Sequence, residues 1–237
     1  MNTKTLAKIF FLTVCALMMI SAAWAQTATD VTLHVDIQNP GASNANPGSE
    51  FRPFKTIQAA TTAAMENNKG RVSTKILISP GTYRESIQLV YNGQETDAPI
   101  IFEAKAKGTV IISGSEVWGN WQRGSQSNIY VHPWPYKWGL APYPAGWAGW
   151  VTLQPILRRR EMIFVNGKFL QQVLTKRELT EGSFFVSESE ARVYIQPWAG
   201  TNMTTATIEV AIQPHLFQAN GKRYIILRGL TFQHGKN

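Results

Sequence analysis

The sequence predicts an all-β chain opened by one short capping helix, and two observations carry that prediction. First, apolar strand segments recur at a spacing in the low twenties. Lys75-Ile76-Leu77-Ile78 is followed 25 residues on by Ile100-Ile101-Phe102-Glu103, and Ile87-Gln88-Leu89 is followed 23 residues on by Val110-Ile111-Ile112. A repeat of that period marks a solenoid, in which each turn stacks its strands in parallel on the turn before. Second, between Ser115 and Ile212 the text changes to tryptophans, prolines and hairpin signals. That change predicts a mostly antiparallel insertion.

The elements follow in order. Lys4 and Lys8 precede an apolar run from Ile9 to Ile20, and Ala23-Trp24-Ala25 is a small-x-small cleavage site. Residues 1–25 are therefore expected to be a signal peptide, and the mature protein to be secreted or periplasmic in a bacterium. The apolar run is too short for a span of about 20 residues, so no stable membrane insertion is expected after cleavage. Cys15 is the only cysteine and lies in that segment, which leaves the mature chain without disulfide or thiol chemistry. The net charge of +8 is spread thinly, with Arg158-Arg159-Arg160 the one tight cluster. Such a balance suits an acidic polysaccharide or a bacterial envelope, and equally plain solubility. No nucleic-acid motif is present.

Residues 26–114 are expected to form a cap and the first repeats. Val31 to Ile37 reads as a strand, and Asn39 to Pro53 as a Pro/Gly/Ser/Asn-rich loop. From Thr56, the residues Ile57, Ala60, Ala64 and Met65 fall on one helical face, with Thr56 as cap and Asn67-Asn68-Lys69-Gly70 as the stop. Asn92-Gly93, Gly108 and Ser113-Gly114 punctuate the strands. Residues 115–212 are read as the insertion. Within 116–155, six tryptophans and dense prolines predict an ordered excursion without regular sheet. Arg158 is expected to begin a hairpin strand, with Arg158 and Arg160 on one face. Met162–Val165 and Lys168–Val173 flank an Asn166-Gly167 turn, Ser183–Val186 pairs with Arg192–Ile195, and Thr207–Ile212 adds one strand. Residues 213–237 return to the earlier pattern through Tyr224-Ile225-Ile226-Leu227 and Leu230-Thr231-Phe232.

Two blocks carry a resemblance. The first is His34-Val35-Asp36, Asn39-Pro40, Asn46-Pro47-Gly48, Pro53 to Ala60 and Ile78-Ser79-Pro80-Gly81-Thr82-Tyr83-Arg84-Glu85. The second runs from Arg159-Arg160-Glu161-Met162 through Phe164-Val165-Asn166-Gly167-Lys168 to Leu227-Arg228-Gly229-Leu230-Thr231-Phe232. They resemble the N-terminal portion of secreted bacterial right-handed parallel β-helix proteins of the pectin lyase-like superfamily. The resemblance implies a β-helix start with a lid helix and a polysaccharide, expected to be acidic, as partner. It implies a lyase or glycoside hydrolase as full-length parent, this chain being the inactive N-terminal part. The alternative is a non-catalytic carbohydrate-binding or cell-surface β-solenoid. These motifs specify scaffold, and a shared fold is only an analogy for function.

The residues themselves assign no catalytic group. Elimination on a uronate needs a base and a cation for the carboxylate, and Ca²⁺ needs six to eight oxygen ligands. Asp30, Asp36 and Asp97 are the only aspartates, so no metal site or cofactor is expected in this chain, and Ca²⁺ belongs at most to a full-length lyase parent. Hydrolysis needs two carboxylates flanking the bond. Glu85 and Glu103 are the available pair, and a structural role suits Glu85 better. The candidate substrate-binding residues are Trp134 and Trp138 for stacking on sugar rings, Arg158 and Arg160 for a uronate or sulfate group, and His234 beside the last strand.

Overall fold

The computed structural model describes residues 31–90, 92–126 and 128–236; the expected signal peptide lies outside them. Among the described residues the chain is largely β, with one α-helix and open sheets.

The first lobe is built from parallel strands. β1 (Val31–Val35), β2 (Thr74–Ile78), β5 (Ile100–Ala104) and β17 (Ile225–Arg228) lie side by side in that order. β3 (Gly81–Tyr83), β6 (Val110–Ser113) and β18 (Leu230–Gln233) form a second parallel set. β4 (Ile87–Val90) pairs with β16 (Phe217–Asn220) in a third. Alternation along β2 and β4 sends Ile76, Ile78, Ile87 and Leu89 into one core, which also takes Tyr83, Phe102 and Ile112. The register corrects one expected repeat. Val110 aligns with Gly81, not Ile87, and Ile87 aligns with Phe217. The short β3 supplies a strand that period-counting overlooked, so the 23-residue spacing joined strands of different sheets.

Helix α1 (Ile57–Lys69) covers this core with Ile57, Ala60, Thr61, Ala64 and Met65 buried. Thr56 caps it by accepting from the Ala59 N–H at 3.2 Å. Glu85 supplies what no local residue does. Its carboxylate accepts from the N–H groups of Ile57 at 2.9 Å and Gln58 at 2.8 Å. A carboxylate there satisfies two unpaired donors and meets the positive end of the helix dipole.

The second lobe lies between β6 and β16 in sequence. β7 (Ser115–Val117), β10 (Ile163–Val165), β11 (Lys168–Phe169) and β15 (Ile208–Ala211) form one antiparallel sheet in the order β11-β10-β15-β7. β8 (Gln122–Arg123), β9 (Tyr130–Pro133), β12 (Gln171–Val173), β13 (Ser183–Ser187) and β14 (Arg192–Gln196) form the other, antiparallel except for β12-β13. Asn166 (φ 52°) and Gly167 (φ 76°) both take the left-handed conformation that a tight two-residue hairpin demands. The two sheets enclose Trp134, Ile163, Leu170, Phe184, Val193, Ile195 and Val210.

Two expectations about this lobe are corrected. The Trp/Pro-rich stretch does contain regular sheet, because β9 pairs with β14 along its full length. Pro133 ends β9 opposite Arg192, where β8 is too short to need its missing N–H. Arg158, in turn, does not begin a strand. Pro155 starts a 3₁₀ turn, Pro155–Arg158, and β10 begins only at Ile163.

Candidate functional site

The two lobes meet around a polar cluster with four contributors. Arg84 follows β3, Ser115 opens β7, Glu209 lies on β15 and His234 follows β18. Arg84 Nη1 donates to Glu209 Oε1 at 2.7 Å, to Ser115 Oγ at 2.7 Å and to the Ser115 carbonyl at 3.2 Å. Ser115 Oγ donates to Glu209 Oε1 at 2.9 Å and lies 3.4 Å from His234 Nδ1. The His234 ring stacks on Phe164 of β10, with centroids 3.8 Å apart and planes 22° from parallel. Gly114 makes the approach possible. A Cβ there would sit 2.5 Å from the His234 carbonyl oxygen and 2.7 Å from Leu216 Cδ2.

Burial by itself would raise the Glu209 carboxyl. The bonds from Arg84 and Ser115, with the charges of Arg84 and His234, outweigh it and hold the pKa below the ordinary range. Burial lowers the His234 pKa; Glu209 opposes that and Arg84 reinforces it. Glu209 is therefore an ionised and occupied acceptor, unsuited to donating a proton.

A second group adjoins the first through the chain from His234 to Lys236. Lys236 Nζ lies 3.8 Å from the centre of the Trp138 ring, and Arg160 donates to the Trp138 carbonyl. Burial lowers the Lys236 pKa, the charge of Arg160 lowers it further, and Glu161 opposes. Glu161, fully buried in its side chain, is held by a fork from Arg159 and by Gln172 Nε2 at 3.0 Å. Among the described residues neither Arg160 nor Lys236 has a carboxylate at salt-bridge distance. Lys236 thus sits over the Trp138 ring face and Arg160 at the Trp138 carbonyl, with the buried Glu161 carboxylate committed to Arg159 and Gln172.

The expected substrate-binding residues fare differently. Trp134 is 1 % exposed and packs edge-on against Tyr136 and Trp138. It is core, which corrects the expectation that it meets sugar. Trp138 is half-buried, stacked on Tyr136 with centroids 4.8 Å apart, and held by Glu188, which accepts from the N–H groups of Trp138 and Gly139 at 2.9 and 2.8 Å. The fully presented rings are those of Trp150, 88 % exposed, and Trp147, 47 %. Arg158 is turned to its own loop, donating to the Ala141 carbonyl at 2.8 Å and lying over Tyr143. Arg158 and Arg160 therefore do not share a face. Arg160 and His234 are brought to the junction, with Trp138 beside them. Arg84 and Glu209 carry no sequence signal as a pair, standing 125 residues apart. Glu103 pairs with Lys75 and Arg228, and Glu85 with the helix, so neither stands in a catalytic pair.

Among the described residues no three His, Cys, Asp or Glu side chains gather as a metal site. No helix there is long and apolar enough to cross a membrane.

With this geometry in view, the comparisons with known proteins are informative about the scaffold. No protein-family model matches the chain. The uncharacterized protein YwoF of Bacillus subtilis (strain 168) is 30 % identical over 79 residues, which is 33 % of this chain and 15 % of that protein. A solved structure described as the complex of XylC with xylose superposes with a TM-score of 0.62 at 18 % identity, covering 86 % of this chain. The chain shares its fold with that structure. A second, described as a glycoside hydrolase, superposes with a TM-score of 0.57 at 15 % identity over the same 86 %. This chain spans 35 % and 51 % of those two proteins.

Proposed function

We propose that this chain is the N-terminal part of a secreted right-handed parallel β-helix protein of the pectin lyase-like kind that acts on an acidic polysaccharide. Three parallel strand sets, each joining segments from successive passes of the chain, support the β-helix reading. Fold likeness to glycoside hydrolase-like structures supports a carbohydrate substrate by analogy. Arg160 and Lys236 beside Trp138, with no salt bridge to a carboxylate among the described residues, are the single observation that carries the acidic preference. A uronate carboxylate or sugar sulfate placed between them would relieve their mutual repulsion.

The chain itself positions substrate and breaks no bond. Glycoside hydrolysis needs two available carboxylates, and Glu209 and Glu161 are both committed to arginine.

The test is electrophoretic retention of the full chain in gels containing a uronate polymer, with product release followed on the same samples. Retention that weakens with salt and with Arg160→Ala plus Lys236→Ala, without product, is expected. Release of an unsaturated or reducing product by the purified chain overturns the inactive reading. Absence of retention in any polysaccharide gel overturns the proposal.

A further inference from the structure

A cavity of about 220 Å³ lies at one end of the five-stranded sheet, lined by residues of the second lobe and sharing none with the polar cluster. Tyr130 of β9 and Trp198 beyond β14 give it aromatic walls, and Asn128, Gln196, Glu181 and Thr201 give it polar ones. We infer that this cavity binds one neutral sugar ring, an inference that rests on the reading of the chain as carbohydrate-active.

The cavity is below the size of a drug-like ligand site and on the scale of a single pyranose. A sugar ring has a C–H face that lies on an aromatic surface and a rim of hydroxyls that both donate and accept. The lining offers both surfaces at once. The Gln196 amide lines the cavity and can pair with neighbouring hydroxyls in both senses. The Glu181 carboxylate accepts the Ala199 N–H at 2.8 Å through one oxygen, which leaves the other for a hydroxyl. No arginine or lysine lines the cavity. Lys168 is spent over the Trp198 ring and Arg123 near the Tyr130 ring, at 4.0 and 5.9 Å from their centres. With a carboxylate in the wall and the two nearby cations seated on the aromatic rings and not in the lining, an uncharged ring is favoured over a uronate.

The walls are held before any ligand arrives. Gly182 (φ 76°) clears room for Trp198, since a Cβ there would fall 2.5 Å from the indole Nε1. The Gly182 N–H bonds to the Gln196 carbonyl at 2.8 Å and the Thr201 N–H to the Trp198 carbonyl at 3.1 Å. A ring that is already fixed loses little freedom on binding.

The experiment is a titration of the ¹⁵N-labelled full chain with xylotetraose and, separately, with tetragalacturonate. Xylotetraose should shift the amides of Tyr130, Gln196 and Ala199 to Thr201, and tetragalacturonate should not. Trp198→Ala should weaken xylotetraose binding about tenfold or more. Gln196→Ala, which leaves the core untouched, should weaken it in the same direction. Shifts elsewhere, or unchanged affinity in both variants, overturn the assignment. Retention of the uronate polymer without xylotetraose binding sinks the cavity alone. Loss of both sinks the underlying reading.

Discussion

Replacing Glu209 by alanine should destabilise the chain by about 2–3 kcal/mol at neutral pH. The estimate follows from its partners. Glu209 is 10 % exposed in its side chain and accepts two charge-assisted or hydroxyl bonds, at 2.7 Å from Arg84 and 2.9 Å from Ser115. Its removal leaves Arg84 without a counter-charge, and an orphaned buried charge costs about 3–5 kcal/mol when solvent is fully excluded. Arg84 keeps 29 % side-chain exposure, so the lower figure applies. Urea unfolding of the wild type, Glu209→Ala, Arg84→Ala and the double variant measures the effect and the coupling together. A coupling of about 1–3 kcal/mol is expected for groups in direct contact. Because Glu209 titrates below the ordinary range when folded, its contribution is complete above about pH 4.3 and disappears as the pH falls through the lower folded value. The difference between wild type and variant should therefore shrink only in acid. A difference under about 0.5 kcal/mol at neutral pH, or strict additivity, would refute the claim that this pair joins the two lobes.

Other perturbations read neighbouring parts. Glu85→Ala should cost about 1–2 kcal/mol in the same unfolding assay, since it strips two acceptors from the start of α1. Gly114→Ala should cost about 1–3 kcal/mol, because its Cβ would meet the His234 carbonyl oxygen at 2.5 Å. His234→Phe bears on pH. The folded pKa of His234 is lowered, so its contribution is present above about pH 6.5 and declines as acid drives protonation. The wild type should lose stability as the pH falls below about 6.5 through the lowered folded value, where the phenylalanine variant should show a flatter profile.

Much of the strand content was legible because alternation and turn chemistry act locally. Asn166-Gly167 announced its hairpin, and Ile57, Ala60, Ala64 and Met65 announced the buried face of α1. Pairing was less legible. β4 finds β16 across the whole second lobe, and no local pattern marks Phe217 as the neighbour of Ile87. The site was hidden for the same reason, since Arg84 and Glu209 stand 125 residues apart. The tryptophans show another limit. In a proline-rich stretch without periodicity, nothing in the sequence separates buried Trp134 from exposed Trp150. Arg158 was misread because Pro155 fixes a turn where a charge run alone suggested a strand.

The central claim is that the junction holds an anionic sugar between Arg160 and Lys236. Calorimetric titration of the full chain with tetragalacturonate, at low and at physiological salt, tests it most directly. The account predicts binding that weakens with salt, falls about tenfold or more in Arg160→Ala plus Lys236→Ala, and is untouched by Gln196→Ala. Binding that ignores both the salt and the loss of these two cations would contradict it.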